Sequence, residues 1–357
     1  MIPNGRHSGA SKGRRDRHEI AFVNFARRLG RFLRAPNRRS VRVRRLTVSH
    51  GTAKTLSRIR TAGMPARAEI EKMTYAATEY ERINGIRIAY ETKGTGFPML
   101  MLHGFPRTRR GWDKIAPALS QRFTLVLVDR RGYGDTDRPA DPATFDNGTI
   151  VSDHTTLMKR LGYRDYLVLG HDKGAAPAHR IALENQDHVP GLIMLDSMPQ
   201  GVTIDRPRDT TGRLWYADFF RQRNFAERLI GQNPGLFISL FLERNPYLTA
   251  EEHEYYVRMF SRHGTMDCVL ADYRAGAEID PRYWQAVAES GKKMRTPVLA
   301  LWGDRSPTAG PHVLEAWRMV AEDVDGGPVK DSAHYVQEEQ PEFVVGQILA
   351  FANKLRI

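Results

Sequence analysis

The chain has 357 residues, 41% of them hydrophobic, a single cysteine (Cys268) and a formal net charge of +13. This is enough apolar material for a real core and excludes a chain disordered throughout, and one cysteine excludes a disulfide framework or a cysteine-based zinc cluster. No apolar run approaches the roughly 18 residues of a membrane-spanning helix.

The charge is unevenly placed. Residues 1–70 hold 18 Lys/Arg and 3 Asp/Glu, whereas residues 71–357 hold 36 and 38. A near-neutral body therefore follows a basic leader, and the overall basic balance is no argument for a nucleic-acid partner. The leader, residues 1–75, reads as disordered apart from a basic amphipathic helix over Ile20–Arg34, with Phe22, Phe25, Leu29 and Phe32 at helical spacing. Three readings of it stand side by side: an organelle transit peptide, a basic arm that touches membrane or nucleic acid, and sequence upstream of a true start at Met64 or Met73. The last is preferred, because the fold signal begins near Tyr80. No secretory apolar region follows the early basic residues, so a cytoplasmic enzyme is the default expectation.

From residue 80 the chain alternates strand-like and helix-like segments, which predicts a mostly parallel α/β sheet. The expected strands are Ile86–Glu91, Met99–Leu102, Thr124–Val128, Tyr166–Leu169, Leu192–Leu195, Val298–Trp302 and Pro328–Lys330. Several are continuously apolar, as strands buried on both faces should be. Helices are expected between them, for example over Asn147–Leu161 and Ala175–Asn185. The rhythm breaks after Asp196. Residues 199–293 read as helical and aromatic, without strand runs, so the core is expected over 76–198 and 294–357, with a helical cap inserted between. Such an insertion reads as a lid over a site at the strand ends.

Gly170-His171-Asp172-Lys173-Gly174 follows an expected strand and precedes a helix. It has the pattern of a nucleophile elbow with Asp in place of Ser, where the flanking glycines permit a tight turn that lifts the central side chain above the sheet. Three further segments agree with it. His103-Gly104-Phe105-Pro106 closes the preceding strand, where a backbone N–H is needed for an oxyanion. Asp129 to Thr136 follows the next strand, and His334 follows the last one, where a general base is delivered. Over residues 80–355 the sequence resembles the α/β-hydrolase superfamily.

An Asp nucleophile is ionised at neutral pH without help. It can displace a leaving group at saturated carbon and leave an alkyl ester on Asp172. His334 then deprotonates the water that hydrolyses the ester, with an acid holding its tautomer. The N–H groups of Phe105 and Lys173 are placed to hold the oxyanion. Carbon–halogen and epoxide carbon–oxygen bonds suit this logic.

Within the superfamily the chain most resembles haloacetate (fluoroacetate) dehalogenases. The resemblance rests on Gly170 to Ala175, Leu195-Asp196-Ser197-Met198-Pro199, Glu227-Arg228-Leu229-Ile230-Gly231, Asp272-Tyr273-Arg274-Ala275-Gly276-Ala277 and His334-Tyr335 with Glu338-Glu339. It implies Asp196 as the acid and Tyr273 as a lid residue in the halide pocket. That family's lid His-Trp pair falls on Trp215-Tyr216 or Leu214-Trp215, where no His stands. Its two substrate-gripping arginines fall on Lys173 and Ala176. These departures resemble epoxide hydrolases, whose two lid tyrosines match Tyr216 and Tyr273 and whose acid follows a later strand, at Asp304. That family's usual Trp after the nucleophile is absent.

The reading is therefore a hydrolase that cleaves the carbon–halogen bonds of small haloacids through an Asp172 ester. Its alternatives are an epoxide hydrolase with the same nucleophile and a catalytically idle binding protein on the same fold. The expected partners are a small-molecule substrate and water, with no nucleic acid, metal or cofactor, and a homodimer is left open. Trp215 and Tyr216 are weighed evenly between site and core packing. His103 and His171 are expected to be structural, and Arg130 and Arg131 to form the ion pairs of a surface turn.

Overall fold

The computed structural model describes residues 77–202, 215–243, 245–308, 310 and 312–357. The basic leader and its expected helix over Ile20–Arg34 lie outside the described residues.

Eight strands form one sheet: β1 (Glu79–Ile83), β2 (Ile86–Lys93), β3 (Phe97–Leu102), β4 (Phe123–Val128), β5 (Leu167–His171), β6 (Leu192–Leu195), β7 (Val298–Gly303) and β8 (Val324–Val329). Their order is β1-β2-β4-β3-β5-β6-β7-β8. Pairing is antiparallel as far as the β2–β4 pair and parallel beyond it. Strand β1 was not foreseen. Its sequence, Glu-Tyr-Glu-Arg-Ile, mixes charges into an edge position, and what places it is the hairpin at Asn84-Gly85, where both residues have positive φ (47° and 81°). Strand β8 runs over Val324–Val329 rather than Pro328–Lys330. Asp325, Gly326 and Gly327 hide it from a propensity reading, and its half-exposed edge position tolerates them.

The two faces of the sheet each bury a core, as period-two alternation requires. Leu100, Leu102, Val126 and Val128 face one way. They pack with α2 (Asn147–Arg160), α3 (Ala175–Glu184) and α10 (His312–Val320). Met99, Met101, Leu125 and Leu127 face the other way, with the short α1 (Ala116–Leu119) and the C-terminal α12 (Pro341–Lys354). The remaining short helix, α11 (Val336–Glu339), follows the loop after β8.

Between β6 and β7 the chain leaves the sheet, and its described residues there form six helices: α4 (Trp215–Arg221), α5 (Phe225–Gln232), α6 (Pro234–Leu242), α7 (Ala250–Phe260), α8 (Thr265–Glu278) and α9 (Pro281–Glu289). Helix α7 opens with a capping box formed by Thr249 and Glu252. The insert has its own buried cluster, including Phe220, Ile238, Tyr256, Phe260 and Leu270, and that cluster closes onto Phe105 and Tyr133 of the strand-end loops. No helix among the described residues is long and apolar enough to cross a membrane.

Candidate active site

Strand β5 ends at His171, and Asp172, at φ 50°, opens the single 3-10 turn (Asp172–Gly174) that leads into α3. An L side chain is strained there, so the surrounding backbone must hold it. Two glycines make this possible by close approach rather than by flexibility. A Cβ on Gly104 would lie 2.4 Å from the Asp172 side chain, and one on Gly174 would lie 2.1 Å from the Leu102 carbonyl oxygen. The end of β3 and the loop after it thus press against the turn at both of these points.

The Asp172 carboxylate is split between two neighbours. Its Oδ1 accepts the Phe105 N–H at 2.8 Å, and its Oδ2 lies 3.3 Å from His334 Nε2. Burial alone would raise the carboxyl group. The hydrogen bond and charge of His334, with smaller contributions from His171 and the Phe105 N–H, hold it below the usual carboxylate range.

His334 is fixed from three directions. Its Nδ1 lies 2.5 Å from Asp196 Oδ2, His171 Nε2–H donates to its carbonyl oxygen at 2.8 Å, and Glu339 accepts the N–H groups of Ala333 (2.7 Å) and Tyr335 (3.0 Å) on either side of it. Burial would lower the imidazole, but Asp172 and Asp196 outweigh it and raise it well above its ordinary value. His171 and His103 take structural positions. Burial pushes both down, His171 to about 4. His103 donates from Nδ1 to the Gly104 carbonyl and accepts the Arg130 N–H at Nε2.

Of the two candidate acids, the fold brings Asp196 to His334. Asp196 is buried at the end of β6, where Gly303 N–H (3.1 Å), Ser306 Oγ (2.6 Å) and Thr308 Oγ1 (2.9 Å) also donate to its carboxylate. Asp304 is placed elsewhere. It follows β7 and accepts the N–H groups of Asp331 and Ser332 at 3.1 and 3.2 Å, so it caps the turn that leads to His334 rather than touching the imidazole. Neither Ser306 nor Thr308 was singled out from the sequence, and only their position just after Asp304 offered a hint.

A cavity of about 1050 Å³ opens above these groups. Phe105, Asp172, Lys173, Ala176, Tyr216, Phe241, Tyr273 and His334 are among its lining residues. The rings of Tyr216 and Tyr273 meet edge to face, with centroids 6.0 Å apart. Burial, then Tyr216 and Asp172, raise the Tyr273 phenol well above its ordinary value, so it stays protonated. Trp215 does not belong to this lining. It is 43% exposed and packs against Phe219 and Phe241, because helical spacing turns it away from the face that carries Tyr216.

Lys173 lines the cavity, but its ammonium is engaged. It donates to the Asp272 carbonyl at 3.1 Å, pairs with Asp272 Oδ1 at 3.2 Å and lies 4.7 Å from the Tyr273 ring centre. Asp272 also accepts from Arg130 (3.2 Å) and Tyr133 (2.8 Å). The expected surface pairs of Arg130 and Arg131 are thus buried ones, with Asp272 and Asp153, because the insert covers the turn after β4. A further buried pair escaped the sequence reading altogether. Arg107 grips Glu338 through Nε (2.6 Å) and Nη2 (2.9 Å), Asn245 of the insert donates to the same carboxylate, and the rings of Tyr335 and Tyr256 flank the guanidinium. The pair joins the Phe105 loop to the His334 loop. Among the described residues, no cluster of His, Cys, Asp and Glu is arranged to hold a metal ion.

Residues 98–341 match the family described by the α/β hydrolase fold. Soluble epoxide hydrolase from Corynebacterium sp. (strain C12) is 34% identical over 287 residues, 77% of this chain and 96% of that protein. Fluoroacetate dehalogenase from a Burkholderia species is 30% identical over 220 residues, 59% of this chain and 72% of that protein. Among solved structures, epoxide hydrolase CorEH without ligand superposes with a TM-score of 0.70 at 30% identity, covering 78% of this chain and 99% of that one. The sheet order, the strand–turn–helix that carries Asp172 and the match over residues 98–341 lead to one conclusion: the chain belongs to the α/β-hydrolase fold family and is a hydrolase.

Proposed function

We propose that the chain is an epoxide hydrolase working through an ester on Asp172. The observation that carries this reading is the sharing of one cavity by Asp172 and two phenols, Tyr216 and Tyr273. Asp172 Oδ2 attacks an epoxide carbon, the carbon–oxygen bond breaks, and a tyrosine hydroxyl gives its proton to the departing alkoxide. Phe105 N–H retains Oδ1, which stays a carbonyl oxygen in the ester and takes the negative charge when water adds. The Lys173 N–H is the second donor expected at that oxygen.

Esterification cancels the Asp172 charge. The His334 imidazole then loses one of the two carboxylates that hold it protonated and becomes a base, and its released proton restores the phenol. Neutral His334, oriented by Asp196, takes a proton from water as the water attacks the ester carbonyl. As the tetrahedral adduct collapses, the ester carbon–oxygen bond breaks and the departing alkoxide receives the proton of the added hydroxyl, so a 1,2-diol leaves, Asp172 returns as a carboxylate and His334 keeps the proton it took from water. The helices over the cavity act as a cap in this reading, and close relatives named as epoxide hydrolases support it.

The haloacid reading needs a cation to grip the substrate carboxylate. Of the two positions where the dehalogenase resemblance puts one, Lys173 is already paired with Asp272 and Ala176 carries no charge, and the other basic residues of the lining, Arg221 and Arg305, stand outside those positions. The relative named as a fluoroacetate dehalogenase nevertheless keeps that chemistry in the test. A His334→Asn variant would be incubated with styrene oxide, smaller epoxides, chloroacetate and fluoroacetate, and the peptide containing Asp172 weighed. A hydroxyalkyl adduct is expected. A carboxymethyl adduct would transfer the assignment to haloacid dehalogenation, and no adduct on folded protein would bring forward a catalytically idle binding protein.

A further inference from the structure

Resting on the epoxide reading, we propose that Asp272 determines the charge of the substrate: by engaging the Lys173 ammonium it withdraws the cation beside the nucleophile from the cavity and restricts the site to epoxides without a carboxylate next to the ring.

An ammonium has three donors. The Asp272 carbonyl and carboxylate take up two directions around Lys173 Nζ, and the face of Tyr273 covers a third side. Helix α8 is shaped to receive it, since a Cβ on Gly276 would lie only 3.1 Å from Nζ. Asp272 is itself only 2% exposed and is fixed by Arg130 and Tyr133, so it cannot swing aside. Burial would raise its carboxyl, but Arg130 and Lys173 outweigh that and keep it ionised. A carboxylate on the epoxide would therefore have to compete with a buried, pre-positioned anion for the same ammonium. It would also approach Asp172 against like charge. An uncharged substituent meets neither penalty. Asp272 touches no reacting atom, so it is a specificity residue and not a catalytic one.

Oxirane-2-carboxylate and oxirane-2-carboxamide are close in size and differ in charge, which makes the ratio of their kcat/KM values the readout. The wild-type chain is expected to favour the carboxamide. Asp272→Asn removes the anion paired with the ammonium while leaving the backbone carbonyl in place, and the ratio should move toward the carboxylate by about tenfold or more, the scale of one hydrogen bond to a charged group. Because this variant leaves Arg130 buried without its carboxylate, it risks misfolding. Lys173→Arg is therefore run beside it: a guanidinium can keep Asp272 on one edge and offer the other to the substrate, and the ratio should move in the same direction. Equal use of both epoxides by the wild type would overturn the proposal, as would a ratio unmoved in folded variants that still hydrolyse the carboxamide. A wild type that hydrolyses no epoxide at all would instead bring down the epoxide reading, and this inference with it.

Discussion

Asp196 Oδ2 and His334 Nδ1 lie 2.5 Å apart, although 137 residues and the whole helical insert separate them in the chain. Strand β6 lies between β5, which leads into the Asp172 turn, and β7, so its carboxyl-terminal end opens beside Asp172 and under the loop that carries His334. Asn at position 196 keeps the shape but cannot accept the Nδ1 proton in the same way. Asp196→Asn is expected to lower kcat by about 10⁴-fold and to let the Asp172 ester accumulate, visible in the intact mass after one turnover. Asp304→Asn, which disturbs only a turn cap, is expected to lower the melting temperature without trapping ester.

The charge on His334 should follow the charge on Asp172. In the free protein the two carboxylates raise the imidazole well above its ordinary 6.5. NMR titration is expected to place it lower in Asp172→Asn than in wild type. Single-turnover decay of the ester should then show an apparent pKa below that of the free protein, because the ester carries no charge. The linkage has a definite sign. A raised native pKa gives stabilisation that is complete below about pH 6.5 and is lost as pH rises through the native value. An ester-decay pKa equal to the free-protein value would contradict the proposed proton route.

The two phenols should act on the first step only. Tyr216→Phe and Tyr273→Phe are each expected to slow ester formation by about 10²-fold, with ester decay unchanged in rapid-quench experiments. Trp215→Ala removes a half-exposed ring outside the cavity lining and should leave both steps near wild type.

Gly174→Ala tests the packing of the nucleophile turn. The added methyl would sit 2.1 Å from the Leu102 carbonyl oxygen, which is backbone and cannot rotate away. A loss of about 1–3 kcal/mol in urea unfolding is expected, together with loss of activity as Asp172 shifts from the Phe105 N–H.

The Arg107–Glu338 pair is buried, so its removal should be strongly non-additive. Glu338→Leu alone leaves an uncompensated guanidinium and is expected to cost about 3–5 kcal/mol. Pairing it with Arg107→Met should recover much of that loss, and a double-mutant cycle in denaturant unfolding measures the difference.

Much of this architecture was readable from the chain because it is local. Continuous apolar runs identified four parallel-sheet strands, β3, β4, β5 and β6, and the spacing of Gly170, Asp172 and Gly174 marked the turn between β5 and α3. What was not readable depends on chain crossings. Asp196 and Asp304 both follow strands, and only the sheet order and the path of the loop after β8 decide which one reaches His334. Lys173 and Asp272 are 99 residues apart, so a sequence that places Lys beside the nucleophile does not show that its charge is already taken. Trp215 and Tyr216 are neighbours in sequence and both touch Phe241, but only Tyr216 lines the cavity and packs on the buried cluster while Trp215 stays exposed, a distinction set by how α4 lies on the insert. Strand β1 and most of β8 lie at the sheet edges, where exposure permits charged and glycine residues that carry little strand signal.

Beyond the β6-end residue Asp196 the chain leaves the sheet, and it rejoins it at Val298, on the strand directly beside β6. One excursion of the chain thus supplies Tyr216, Asp272 and Tyr273, whereas Phe105, Asp172, Asp196 and His334 all belong to the sheet and its loops. The roof can therefore be exchanged as a single cassette without altering the register of any strand pair. On the proposed mechanism a transplanted roof would bring its own phenols and its own charge preference, and Asp172 and His334 beneath it would stay where the sheet holds them.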